Sequence, residues 1–195
     1  MTPAADSPWL RRLTSPLTAG LVLAVFYVVL LASLRDKSAT YDEPGHAAAG
    51  YAYWKHGTYR IDPENGNLPQ RWIALPLLSG DFPFPSAKSG GWRDSDTWAL
   101  ADQWFNRMGN DTTAMLARGR AVSGLLTVAL GAMVWLWSRR LFGPAGGMLS
   151  LVLYAINPAI LAHGALMKDD VPGALVFLGA CWSFWAMLRK FSPSW

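Results

Sequence analysis

The run Tyr41-Asp42-Glu43-Pro44-Gly45-His46 carries residue types that acid–base chemistry uses. Asp42 and His46 are four residues apart, so they share one face if the segment is helical. A carboxylate at a helix amino terminus is kept ionised by the helix dipole, and an ionised carboxylate can take a proton from an acceptor hydroxyl. Asp42 and Glu43 are therefore candidate catalytic residues, and His46 is a candidate substrate ligand. The alternative is that Asp42 or Glu43 only caps a helix.

A second polar segment, residues 163–170, lies between two apolar runs. It contains His163, Lys168, Asp169 and Asp170. Adjacent acids beside a membrane segment are costly unless they are paired or face water. We predict that this cluster faces the Asp42 region across an external cavity. The alternative is that Lys168 pairs with one acid and Asp170 caps the following helix.

Metal and nucleotide sites have weak support in the sequence. Asp94-Ser95-Asp96 has the spacing of an acidic motif that binds a divalent cation and a nucleotide sugar, but it also suits a helix cap. The three histidines lack the spacing of zinc ligands, and there is one cysteine. We therefore assign no metal ligands and no certain cofactor, and a divalent cation is the one cofactor left open. No nucleotide-binding glycine loop or basic nucleic-acid motif is present, and we predict no nucleic-acid partner.

The elements that position these residues are membrane helices. Hydrophobic residues make up 52% of the 195 residues and charged residues 15%, against about 25% charged in soluble domains. A transmembrane helix needs about 20 apolar residues. We predict an all-α membrane protein with about four such helices, joined by a long external loop that carries short juxtamembrane helices. The predicted transmembrane segments are 17–34, 119–138, 148–162 and 171–188.

The long loop, residues 35–118, is predicted to contain helices over 44–54, 69–78 and 96–107. It is rich in aromatic residues and poor in aliphatic ones. We therefore expect its helices to lie on the membrane surface without a core of their own. A cleaved signal peptide is the alternative for the first apolar run, but Arg35-Asp36-Lys37 follows that run instead of a small-residue cleavage site.

Basic residues at the short ends predict the orientation. They flank three of the four apolar runs and fall in segments 1–16, 139–147 and 189–195, which we predict to be cytoplasmic. The loop 35–118 and the turn 163–170 are then external. The basic residues of the loop do not contradict this, because loops above about 60 residues escape the rule.

Five segments in the same order resemble the dolichyl-phosphate-mannose protein mannosyltransferase-like family. These polytopic C-type glycosyltransferases also include the lipid A aminoarabinose transferases. The resembling segments are residues 41–53, 62–70, 139–146, 157–164 and 170–172. The resemblance implies transfer of a sugar, with inversion, from a polyprenyl-phosphate donor to a hydroxyl of a lipid, glycan or protein. It places the protein in the bacterial inner (cell) membrane, with the active site facing outward.

The same resemblance implies roles for individual residues. Asp42 would act as the base with Glu43 beside it, and Asp170 would complete the site. Arg71, Lys168 and His163 are the cations available to steady the departing phosphate, since such charge must be stabilised. His46 and Asp169 are the remaining candidates for substrate binding.

The sequence also departs from the family. Leu68 stands where a histidine or lysine is usual, Gln70 replaces a proline, and Ala165 replaces a frequent basic residue. Family members are longer and have more spans, so we expect this chain to be an amino-terminal part, and its activity in isolation is an open question. The alternatives are a non-catalytic or truncated membrane protein of the same fold, or a small transporter.

Overall fold

The computed structural model describes residues 7–191, and all regular structure in that range is helical, which confirms the all-α fold class. Residues 1–6 and 192–195, which belong to two of the predicted cytoplasmic segments, lie outside the described range. The helices are α1 Pro8–Leu13, α2 Pro16–Leu34, α3 Glu43–His56, α4 Asn67–Ala74, α5 Gly90–Arg93, α6 Thr97–Asp102, α7 Thr112–Ala155, α8 Pro158–His163 and α9 Asp170–Phe191. A 3₁₀ turn, Leu75–Ser79, follows α4, and a π-helical turn, Gln103–Arg107, follows α6.

Three helices of the described chain, α2, α7 and α9, are long and apolar enough to cross a membrane. Helix α7 is a hairpin of two limbs, because Gly143 leaves helical geometry with φ 77° and ψ −177° just before Pro144. Glycine tolerates this positive φ, which other residues avoid. The limbs run antiparallel, since the Tyr154 hydroxyl donates a hydrogen bond of 2.7 Å to the Thr127 carbonyl. The connection is thus confined to residues 143–144, where the sequence predicts a turn over 139–147.

The predicted apolar run 148–162 is divided between two helices. The second limb of α7 ends at Ala155, and α8 begins at Pro158. Proline cannot continue a helix from the preceding turn, because it lacks an N–H and its ring clashes with the backbone. Asn157 caps the new helix by accepting hydrogen bonds from the backbone N–H groups of Ala159 and Ile160.

Helix α2 packs one face on the α7 hairpin, on α8 and on residues 165–166. Phe26 and Leu30 are buried there, and the Tyr27 hydroxyl donates to the carbonyl of Ala121 at 2.9 Å. The rest of α2 and one face of α9 expose large apolar side chains, as expected of helices that lie in a membrane. These include Leu17, Leu21, Val25 and Val28 on α2, and Val176, Phe177, Phe184 and Leu188 on α9.

The loop between α2 and α7 contains the three expected helical segments, as α3, as α4 with its 3₁₀ turn, and as α6 with its π turn. The expectation that it lacks a core is wrong. The loop has few aliphatic side chains, and its core is built mainly from alanines and aromatic rings. The core comprises Ala47, Ala48, Tyr51, Ile73, Ala74, Leu77, Phe82, Ala101, Trp104 and Phe105, closed by Met115 and Leu116 of α7 and by Met167.

Candidate functional site

A cavity of about 620 Å³ lies where the start of α3, the segment 60–65 and residues 168–170 meet. We call it the acidic cavity. Of the predicted site residues, Asp42, His46, Lys168, Asp169 and Asp170 line it. Its carboxylates are Asp42, Asp62, Glu64, Asp169 and Asp170. Two loop segments and the start of α9 therefore bring together acids that are far apart in the sequence.

Asp42 precedes α3 without capping it, because its side chain makes no capping hydrogen bond. One carboxylate oxygen, Oδ2, lies 2.7 Å from the Lys168 Nζ, and 38% of the Asp42 side chain is exposed. The hydrogen bond with Asp42 is the main cause that raises the pKa of Lys168, so the ammonium stays charged at neutral pH. Asp42 is thus an accessible carboxylate with one cationic partner.

Glu43 has the opposite environment although it is the next residue. Its side chain is fully buried, and Arg120 donates to both of its oxygens at 2.9 and 2.8 Å. The backbone N–H groups of Thr40 and Met167 donate to it at 2.8 and 3.2 Å. Burial alone would raise the pKa of Glu43, but the hydrogen bonds from Arg120 and Thr40 lower it below its ordinary value. Glu43 therefore joins α3, α7 and the segment before α9, and it does not line the acidic cavity.

Arg120 was not among the residues predicted from the sequence. All five of its N–H donors are used, because it also donates at 2.9 Å to the carbonyls of Leu34, Lys37 and Ser38. The available signal was an arginine directly before an uncharged run, where a charge needs a partner. Arg120 fixes the segment that leads from α2 to Asp42.

His46 lies between two carboxylates of the acidic cavity. Its Nδ1 is 3.5 Å from Asp62 Oδ2, and its Nε2 is 3.9 Å from Asp169 Oδ1. Gln70 orients Asp62 by donating to the same Oδ2 at 2.7 Å. The glutamine that departs from the family pattern thus supports this side of the cavity.

Two predicted cations do not line the acidic cavity. The Arg71 guanidinium lies over the rings of Tyr53 and Trp54, 4.3 and 4.5 Å from their centres. His163 is exposed at the end of α8. Of the three cations proposed to steady a phosphate, the structure brings only Lys168 to Asp42.

Within residues 7–191, no group of three or more His, Cys, Asp or Glu side chains is arranged to hold a metal ion. Asp96 of the acidic motif caps α6 by accepting from the N–H groups of Trp98 and Ala99. Asp96 of this motif therefore acts as a helix cap, as the alternative interpretation of the motif expects.

A second, larger cavity of about 1270 Å³ adjoins the acidic one, and we call it the lateral cavity. It is lined by the end of α2, the segment 35–41, α6 and the first turns of α7. The rings of Tyr41 and Trp98, tilted by 32° with their centres 4.3 Å apart, form part of its wall, and Trp98 borders both cavities. Because Tyr41 lines one cavity and Asp42 the other, the two spaces are one residue apart.

Fold and site together define a multi-pass helical membrane protein with a polar cavity at one end of its long helices. Residues 103–195 match the family model of the dolichyl-phosphate-mannose-protein mannosyltransferases. This confirms the resemblance over that part of the chain and indicates a membrane glycosyltransferase. A search of curated proteins and a search of solved structures each returned no match. The matched range contains Arg120 and residues 168–170, whereas Asp42 and His46 precede it.

Proposed function

We propose that the protein is an inverting glycosyltransferase that moves a sugar from a polyprenyl-phosphate donor to an acceptor hydroxyl. The observation that carries this proposal is Asp42, an accessible carboxylate in the acidic cavity that adjoins the part of the chain matching the family. We further propose that the loop end of the helices, where α2 and α7 join residues 35–111, faces outward from the cell membrane.

In the proposed reaction, Asp42 accepts the proton of the acceptor hydroxyl. The hydroxyl oxygen forms a bond to the anomeric carbon as the bond from that carbon to the phosphate oxygen breaks. The polyprenyl phosphate leaves with the electron pair, and the anomeric configuration inverts. General base catalysis of this kind contributes roughly 10²–10⁴-fold.

Lys168 is the proposed partner of the departing phosphate. Its ammonium pairs with Asp42 at 2.7 Å, and a phosphate with developing charge is a stronger partner for it. Movement of Lys168 to the phosphate would free Asp42 for the hydroxyl. Asp169 and Asp170 line the same cavity and are proposed to hold sugar hydroxyls, with His46 held between Asp62 and Asp169.

The lateral cavity is the proposed position of the donor lipid. Apolar residues of α2, Leu31 and Leu34, line it together with Arg35 and Lys37. An apolar surface beside cations suits a polyprenyl chain that carries a phosphate. Because Tyr41 lines the lateral cavity and the next residue, Asp42, lines the acidic cavity, a sugar on a lipid held in the first could reach the second.

The test uses protein expressed from the complete open reading frame, purified in detergent. It is incubated with a radiolabelled polyprenyl-phosphate hexose and a set of lipid, glycan and peptide acceptors. We expect label in one acceptor class, with an anomeric configuration opposite to that of the donor. Retained configuration would contradict the inverting mechanism, and absence of transfer and of donor cleavage would favour the non-catalytic alternative.

A further inference from the structure

Aromatic and cationic side chains form a cluster between α7 and α9, at the end away from the loop. The rings of Trp137 and Trp182 are parallel within 6°, with centres 6.2 Å apart, and Trp185 lies 6.3 Å from Trp137. Arg140 lies over Trp182 at 5.1 Å, and Arg189 lies over Trp185 at 4.9 Å. We call these five residues the tryptophan–arginine cluster.

The two arginines have aromatic partners but no acidic one in the described chain. Every Asp and Glu between residues 7 and 190 lies in the segment 36–111 or at 169–170, at the opposite end of α7 and α9. Both arginines are exposed. A guanidinium stacked on a ring keeps its N–H edge available for a planar, two-oxygen partner. Among residues 7–190, the cluster therefore presents guanidinium donors and positive charge that no acidic side chain pairs with.

The lengths of the helices place the cluster at the boundary of the hydrocarbon. The uncharged runs 121–137 and 171–188 are roughly 26 and 27 Å long at 1.5 Å per residue, close to the thickness of a hydrocarbon core of about 30 Å. Tryptophan is enriched at this boundary because its ring is apolar and its N–H is polar. The anion present at that depth is the phosphate of a lipid headgroup.

We propose that the tryptophan–arginine cluster binds the phosphodiester headgroup of an anionic phospholipid. Arg140 and Arg189 donate to the phosphate oxygens, and the tryptophan rings contact the glycerol backbone and the upper acyl chains. Basic sites between membrane helices recognise anionic headgroups in this way. The proposal does not depend on the sugar-transfer function, because lipid binding is measured without donor or acceptor.

The test is native mass spectrometry of the purified protein with added phosphatidylglycerol or phosphatidylcholine of identical chains. The double variant Arg140→Gln/Arg189→Gln should bind phosphatidylglycerol roughly 30-fold more weakly. The matched control is Arg12→Gln/Lys190→Gln, which removes two exposed charges of the same end that contact no ring in the part of the chain whose side chains are described. The affinity of the control should fall by roughly fivefold at most, because its two charges attract the lipid from a distance, where salt screens them, and make no hydrogen bond to the phosphate in the proposed site.

An equal loss in the control would show that bulk charge attracts the lipid and would overturn the proposal, as would equal binding of both lipids by the unsubstituted protein. If the arginine variant does not fold, Trp182→Leu decides, because it keeps both charges and removes the surface under Arg140. We expect it to weaken phosphatidylglycerol binding by roughly fivefold. Unchanged binding by this variant would overturn the proposal.

Discussion

Glu43→Gln should destabilise the protein strongly although it preserves the size of the side chain. The carboxylate accepts five hydrogen bonds, two from Arg120, two from Thr40 and one from Met167. Glutamine has one acceptor oxygen, and its NH₂ group would face donors that already point at it. The change also leaves Arg120, of which 4% is exposed, without its counter-charge.

The magnitude follows from the burial of the pair. Removal of one partner of a buried ion pair costs about 3–5 kcal/mol. Arg120 keeps three carbonyl acceptors, so we expect the lower end, about 3 kcal/mol. At about 2–4 °C per kcal/mol for a chain of this size, the unfolding temperature should fall by roughly 6–12 °C.

The assay is thermal unfolding followed by tryptophan fluorescence in detergent. Asp42→Asn is the matched control, because the Asp42–Lys168 pair is partly open to solvent, with 38% and 20% of the two side chains exposed. A pair near the surface contributes about 0–1 kcal/mol, so its loss should lower the unfolding temperature by less than about 4 °C. The double variant Glu43→Leu/Arg120→Met should regain part of the loss, since replacing both members of a buried pair by apolar residues is tolerated. A Glu43→Gln protein as stable as the Asp42→Asn protein would refute this reasoning.

Gly50→Ala should lower the free energy of unfolding by at least about 1–3 kcal/mol, because the new Cβ would overlap the Gln70 carbonyl. Gly20→Ala is the control in the same unfolding assay and should lower it less, because the space around Gly20 is open. The pKa of Glu43 is lower in the folded protein than its ordinary value of 4.5, which applies to the unfolded chain. The ionised carboxylate therefore stabilises the fold above pH 4.5, and this stabilisation is lost as the pH falls through the pKa of the folded state. The unfolding temperature should therefore be level from neutral pH to about pH 5 and fall below it, and the fall should be smaller in Glu43→Gln. Reporter fusions at Gly90 and Pro144 should report opposite sides of the membrane, and a shared side would refute the proposed topology.

The sequence predicts those features that depend on local pattern. Uncharged runs of sufficient length predict α2 and α9. The third apolar run, predicted as one segment, is divided in the structure between α7 and α8 at Asn157-Pro158. The clustering of Asp42 with residues 168–170 is also among the predictions from the sequence.

The parts that the sequence does not predict depend on pairings between distant residues. Arg120 and Glu43 are 77 residues apart, and no local rule shows which of the two adjacent acids, Asp42 or Glu43, will be buried. The ring contacts that take Arg71 away from the cavity arise only when α4 packs on α3. The loop core is missed because alanines fill space efficiently only when a glycine such as Gly50 lets the helices approach closely.

The turnover of Asp42→Asn tests the central claim most directly. Asparagine keeps the size of the side chain but cannot accept the proton. Sugar transfer from a polyprenyl-phosphate donor should fall at least about 100-fold in kcat, since general base catalysis contributes roughly 10²–10⁴-fold. The unfolding temperature should stay near that of the unsubstituted protein, and Asp81→Asn, an exposed acid of the loop, should keep full turnover. Near-full turnover by a folded Asp42→Asn protein would contradict the assignment of Asp42 as the base.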